Sequence, residues 1–394
     1  MKSSLKLFAL CICIAVASCK SADITKTHVI NLPEALENIG LINLSEVANS
    51  IKYIPLETRE DALVGEYPRI AYDGNHIVVA EPFRGSIKVF DSEGKFVRSI
   101  DRVGRGPEEY QPQVIGFSLL NGNIVVVTIR EVIEYDISGN FIRRVTIPNV
   151  EGYNVVSPIM INENRYAAAL VDFTSENKEY CAVVYDSLLV IEQLIATPSD
   201  LEIKIASPSG SGGAVVFMPT KLIRNDEKFF LFQPESKEIL SVENPNAIDT
   251  AYVIEYGVYR MPDGHASNIS VDNRYLSLMS FIETRDFLFM NVNTMATITT
   301  TGSRFLTFLY DKQAQKTSVL YDRIEDKRGF KDDIGKGLEF LPKSVFGRNT
   351  ILSDITALSL IEFAENNTVS EELAKIVSTI DENSNPIIAI VELK

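Results

Sequence analysis

The chain has 394 residues, of which 45% are apolar and 23% charged, the proportions of a globular protein with a full hydrophobic core. Its formal net charge of −15 repels phosphate backbones, and no basic patch interleaved with aromatic residues offsets it, so no nucleic-acid partner is expected.

In chain order, the first feature is an export signal over residues 1–18. Lys2 and Lys6 precede an apolar run from Leu7 to Ala17, which is too short to span a bilayer but suits a secretory signal. The run ends in Val16-Ala17-Ser18-Cys19, which resembles the bacterial lipobox. The resemblance implies that Cys19 is lipidated and becomes the mature N-terminus, held to a membrane by its acyl chains. Lys20, rather than aspartate, follows the cysteine, which favours outer-membrane sorting with the protein facing the periplasm or the cell surface. Removing residues 1–18 leaves 376 residues at a net charge of −17. Residues 19–48 are expected to act as a lipidated tether containing His28 and Asn31. Of four cysteines, Cys11 and Cys13 leave with the signal and Cys19 carries lipid. Cys181 remains without a disulfide partner, inside an apolar strand pattern.

From residue 50 onward, short β-branched and aromatic runs alternate with Gly/Asn/Asp turns, the signature of strands. Phe90-Asp91-Ser92-Glu93-Gly94-Lys95-Phe96 returns 45 residues later as Tyr135-Asp136-Ile137-Ser138-Gly139-Asn140-Phe141. Weaker copies start at Tyr185-Asp186 and Tyr310-Asp311. An aromatic residue ends one strand, the aspartate opens the turn, and Gly94 and Gly139 supply positive φ. A second strand pair precedes each hairpin, turning at Asp73-Gly74-Asn75, Asn121-Gly122, Asn162-Glu163-Asn164, Asn225-Asp226-Glu227 and Thr284-Arg285-Asp286. Four strands per 40–60 residues is the unit of a β-propeller blade. Five blades are visible, and a sixth is expected from pairing Ile51–Leu56 with Pro386–Leu393, so that both chain ends close the ring over residues 49–394. The fold class is therefore all-β, a six-bladed β-propeller with short helical insertions near the C-terminus. Those helices are expected over 355–364 and, behind the N-cap Ser370, over 370–380. Ser207–Gly213 reads as a flexible loop.

Three segments make the chain similar to the six-bladed β-propeller lipoproteins of Bacteroidetes, relatives of NHL-repeat and TolB-like propellers. They are Tyr53-Ile54-Pro55-Leu56-Glu57-Thr58 with Leu63-Val64-Gly65, the Phe90 hairpin running into Gly104-Arg105-Gly106-Pro107-Glu108-Glu109-Tyr110, and Asp332-Asp333-Ile334-Gly335-Lys336-Gly337 with the terminal Asn385-Pro386 strand. The match is loosest at Lys336 and between 185 and 300. The resemblance implies an architecture and an envelope location rather than an activity.

Reactive constellations are scarce. His28, His76 and His265 have no metal-ligand spacing, and Ser209-Gly210-Ser211-Gly212 lacks the setting of a nucleophile elbow. No catalytic residue, metal or cofactor is expected. Gly104, Gly106 and Pro107 read as a structural connection between blades, with a ligand-contacting loop bearing Arg102, Arg105 and Tyr110 as the alternative. Asp332-Asp333 reads as a solvated turn, and Asp381–Asn385 imitates a calcium loop without its central glycine. The expected function is a membrane-anchored binding or scaffold module for a protein partner, small molecule or glycan. The competing expectation is a hydrolase or lyase with carboxylates in the propeller channel, or a glycan-binding accessory protein.

Overall fold

A computed structural model describes residues 27–37, 39–65, 67–82, 84–172, 179–198, 220–225, 228–234, 236–244, 247–260, 275–294, 305–322 and 325–394. Cys19, the export segment and Ser207–Gly213 lie outside the described residues. The described strands form six small sheets, each built on four antiparallel strands, in the ring of a β-propeller. The first blade runs outward from Arg69–Tyr72 through His76–Ala80 and Ile87–Asp91 to Phe96–Ile100. The sixth begins with Ser344–Phe346 and Thr350–Ile355, continues with Ile387–Leu393, and ends with Ala48–Pro55, the strand that closes the ring.

Burial explains the strand compositions. The second strand of each blade is sandwiched between neighbouring blades, so Ile77–Ala80, Ile124–Val127, Ala167–Val171 and Phe229–Phe232 are continuous apolar runs, buried on both faces. Innermost strands such as Gly116–Leu120 and Lys221–Asn225 border the axis and are only half-buried. The core lies between blades: Val78, Ile87 and Val89 of the first pack with Ile124, Val126, Ile133 and Tyr135 of the second.

The repeated hairpin turn has one mechanism. Asp91 Oδ1 accepts from the amides of Glu93 and Lys95 (both 2.9 Å), and Gly94 sits at φ +82°. Asp136 accepts from Asn140 N–H at 2.9 Å with Gly139 again at +82°. Asp186 accepts from Leu188 and Val190 (2.9 and 2.8 Å), and Leu189 takes the left-handed place held by glycine in the other two copies. The helices fall where capping signals put them. One helix covers Ala357–Asn366 and the next covers Glu371–Val377, with the Ser370 hydroxyl accepting from Leu373 N–H.

Of residues 19–48, expected to act as a tether, the described part from Thr27 onward is corrected by the structure, whereas residues 19–26 lie outside the described residues. His28–Asn31 adds a parallel strand to the outer edge of the fourth blade, pairing with Tyr252–Glu255. A six-residue helix, Leu32–Glu37, follows, and Ile39–Gly40 then pairs in parallel with Val319–Leu320 at the edge of the fifth blade. A short helix, Leu44–Val47, leads directly into the outer strand of the sixth. Ile30, Leu32, Ala35, Leu36, Leu44 and Val47 are buried along this path, which is why it lies on the ring instead of in solvent. His28 Nδ1 lies 3.1 Å from the Tyr310 hydroxyl and its ring stacks on Tyr252, while the Asn31 side chain accepts from Glu34 N–H at 3.0 Å.

Candidate functional site

The loop from Arg102 to Tyr110 joins the first and second blades and is held by its own groups. Gly104 N–H donates to Tyr110 O at 2.9 Å, and Tyr110 N–H to Arg102 O at 2.8 Å. The Glu109 carboxylate accepts from Gly106 N–H at 2.8 Å and fills the space a Cβ at Gly104 would occupy. An internal carboxylate thus occupies the space beside the two glycines that a ligand would need. Tyr110 is corrected outright as a ligand donor. It is 0% exposed, its hydroxyl donates to Gly85 O at 2.5 Å, and it packs in the inter-blade core. Arg102 is half-buried and pairs with Glu108 at 3.6 Å, leaving Arg105 as the exposed member of the expected trio. Gly104 and Gly106 do serve the close path of a connection.

A second place has more to offer a ligand. A cleft of about 620 Å³ opens beside the fifth and sixth blades, lined among others by Lys327, Lys331, Asp333, Lys336, Glu339 and Phe363. Its floor is organised by Asp332, only 5% exposed. Asp332 accepts from Gly335 N–H and Gly337 N–H, both at 2.7 Å, and from the Tyr53 hydroxyl on the closing strand. Burial and the neighbouring Asp332 together raise the Tyr53 pKa, so it stays a donor. A side chain at either glycine would collide with Tyr53 and Asp332, so the Asp332…Gly335…Gly337 spacing is steric as well as polar. The expectation of a solvated turn at Asp332-Asp333 is therefore wrong for Asp332. Asp333 is exposed and accepts from Ser45 N–H (2.9 Å) and Ser45 Oγ (2.5 Å). Burial pushes its pKa up, but the Ser45 bonds outweigh this and, with nearby Lys331, hold it below the usual carboxylate value.

Between the two glycines, Lys336 sits at φ +56°, a left-handed conformation that costs a residue with a Cβ about 1–2 kcal/mol. Lys327 is committed to Glu325 (2.7 Å) and Glu339 (3.1 Å), which raise its pKa. Lys331 and Lys336, by contrast, are exposed and make no ion pair among the described residues. The cleft thus offers two exposed ammonium groups above a rigid floor. The Asp-to-Gly spacing was the sequence signal for that floor; nothing local announced Tyr53 as its third donor. Asn385, the end of the imitation calcium loop, is turned inward instead. Its side chain accepts from Val64 N–H (2.8 Å) and donates to Glu57 O and Ala62 O (2.8 and 2.9 Å). Among the described residues no group of three or more His, Cys, Asp or Glu could hold a metal ion, and no helix is long and apolar enough to cross a membrane.

Six four-stranded blades closed by both ends of the chain define a six-bladed β-propeller. The chain belongs to the family described as domain of unknown function DUF4934, whose match runs over residues 27–392. No curated relative matches the sequence. Among solved structures, it is similar to a protein from Bacteroides fragilis described as exported, at 18% identity and a TM-score of 0.67, over 93% of this chain and 99% of that one. It is also similar to a DUF4221 family member from Bacteroides vulgatus, at 12% identity and a TM-score of 0.51, over 88% of this chain and 97% of that one. At these identities the likeness concerns the fold.

Proposed function

We propose that this protein is an outer-membrane lipoprotein, anchored through Cys19, whose propeller is a binding module for a protein partner or small ligand of the cell envelope. The location is supported by the lipobox-like Val16–Cys19 and by the similar B. fragilis protein described as exported. The binding role rests on one observation: Lys336 is held in a left-handed conformation between two glycines, at the edge of a cleft whose floor is pinned by Asp332. A backbone strain kept in place by surrounding hydrogen bonds is a feature of ligand-contacting loops. Lys331 and Lys336 favour a ligand with anionic or strongly hydrogen-bond-accepting groups.

The test compares wild-type protein with a Lys331→Glu/Lys336→Glu variant in pull-downs from native envelope extracts, quantified by mass spectrometry, with glycan binding scored on an array. A partner or glycan retained by the wild type and lost by the variant supports the cleft. Identical binding profiles exclude it. A Cys19→Ala protein that still incorporates labelled fatty acid removes the anchoring reading.

A further inference from the structure

The described part of the N-terminal segment first meets the ring at the fourth blade. Thr27 is followed at once by His28–Asn31, the added outer strand of the fourth blade. The eight peptide links from Cys19 to Thr27 can span at most about 28 Å even when fully extended. A compact chain of this size is roughly 50 Å across. A lipid on Cys19 therefore reaches the bilayer only if the fourth-blade side of the ring is close to it, because the first blade stands opposite the fourth in a six-membered ring.

The surface at that side is suited to the contact. Val29, on the added strand, is 48% exposed, and Val258 is 81% exposed. Val258 belongs to the 3-10 turn Gly257–Tyr259, which follows the blade's outer strand. Gly257 lies so close to Pro33 of the N-terminal helix that a Cβ would approach its ring to 2.8 Å. Val29 thus lies two residues from the point where the chain from the anchor arrives, and Val258 lies past the other end of the same added strand, so both belong to the fourth-blade rim. Glu34, Glu37 and Glu255 are exposed beside them, which disfavours an anionic lipid surface and leaves a zwitterionic one.

We propose that the lipidated protein rests on a zwitterionic bilayer by the rim of its fourth blade, with Val29 and Val258 against the headgroups and the first blade facing away. This rests on the reading of Cys19 as the lipid anchor. The anchor holds the protein on the membrane, and the short span to Thr27 sets which side faces it.

The test uses full-length lipidated protein in phosphatidylethanolamine/phosphatidylcholine vesicles containing a headgroup-linked energy-transfer acceptor. A donor fluorophore is placed at Glu255→Cys or at Lys95→Cys, the latter on an exposed turn of the first blade. Cys181 is buried and does not compete for label. The expected result is transfer several-fold stronger from position 255 than from position 95. Equal or reversed transfer overturns the orientation. Adding Val29→Asp and Val258→Asp to the Glu255→Cys protein is expected to leave it vesicle-bound with transfer reduced at least two-fold; unchanged transfer overturns the valine contact. Protein that does not float with vesicles at all overturns the anchor reading itself, a separate outcome.

Discussion

The outer edges of the fourth and fifth blades are covered by the N-terminal segment, whereas those of the first three end in open strands among the described residues: Phe96–Ile100, Phe141–Thr146 and Ile191–Ala196. The open edges carry Arg98, Arg143, Arg144 and Glu192, charged side chains that discourage edge-to-edge pairing with another chain. The covered edges need no such protection, because the segment satisfies their backbone groups and buries Ile30, Leu32 and Leu36 against them. The two halves also differ in how local their contacts are. The first two blades are built from consecutive hairpins with the same Asp-based turn. The covered half depends on pairings such as His28 with Tyr252 and Ser50 with Glu392, which join distant parts of the chain. Contacts of that kind bear a larger loop-closure entropy, so the first half is expected to form earlier in folding.

The most disruptive way to separate the halves is to remove the hub beside the closing strand. Asp332→Ala orphans two amides and the Tyr53 hydroxyl and is expected to cost about 4 kcal/mol in urea unfolding. Asp332→Asn, which keeps acceptor capacity, is expected to lose clearly less; equal losses would count against the hydrogen-bond account.

Next comes the covering segment itself. Ile30→Ala, at a fully buried position, is expected to cost about 3 kcal/mol, whereas Ile142→Ala, at a residue 44% exposed on an open edge, should stay within about 0.5 kcal/mol. Similar values for the two would erase the distinction between the halves.

A smaller effect concerns the clasp between the fourth and fifth blades. Glu283 accepts from Lys312 (2.9 Å), Tyr252 and Asn225. Burial raises its pKa, but Lys312, the Tyr252 hydrogen bond and Lys228 outweigh this and hold it below the ordinary 4.5. A depressed carboxylate stabilises the fold above its unfolded-state value, and that contribution is lost as pH falls through the folded one. Thermal stability is therefore expected to decline below about pH 4.5, with a flatter acid limb in Glu283→Gln. Lys312→Ala at neutral pH should cost about 2 kcal/mol, since Lys228 and two hydrogen bonds remain on the carboxylate.

The gentlest probe is Cys181 in the third blade. Burial pushes its thiol up to about 11, so Ellman's reagent at pH 8 should react only after local opening. If the halves open separately, Ile30→Ala should accelerate amide exchange in the fourth blade far more than thiol reaction at Cys181. A matching acceleration would show one cooperative unit.

Much of the ring was legible because its signals are local. Each copy of the hairpin carries its aromatic residue, aspartate and left-handed position within a few residues, and the two terminal strands are long enough to show a pattern. The covering segment was not legible. His28–Asn31 and Ile39–Gly40 are too short to display a strand period, and their partners are the middle of the chain. Tyr110 was misread because glycines and glutamates around it look like a surface loop, while its destination is set by Gly85 and Ile100.

By itself, then, the sequence determined the repeat, its turns, the pairing of the chain ends and the capped helices, since these follow from propensity, burial pattern and side-chain bonds to nearby backbone. Tertiary structure alone decided the fate of residues 28–47 and of Asp332. The physical reason is the same for both. A short apolar segment or an acidic turn simply stays solvated until another part of the chain brings a sheet edge or a buried hydroxyl to it, and that partner lies more than two hundred residues away.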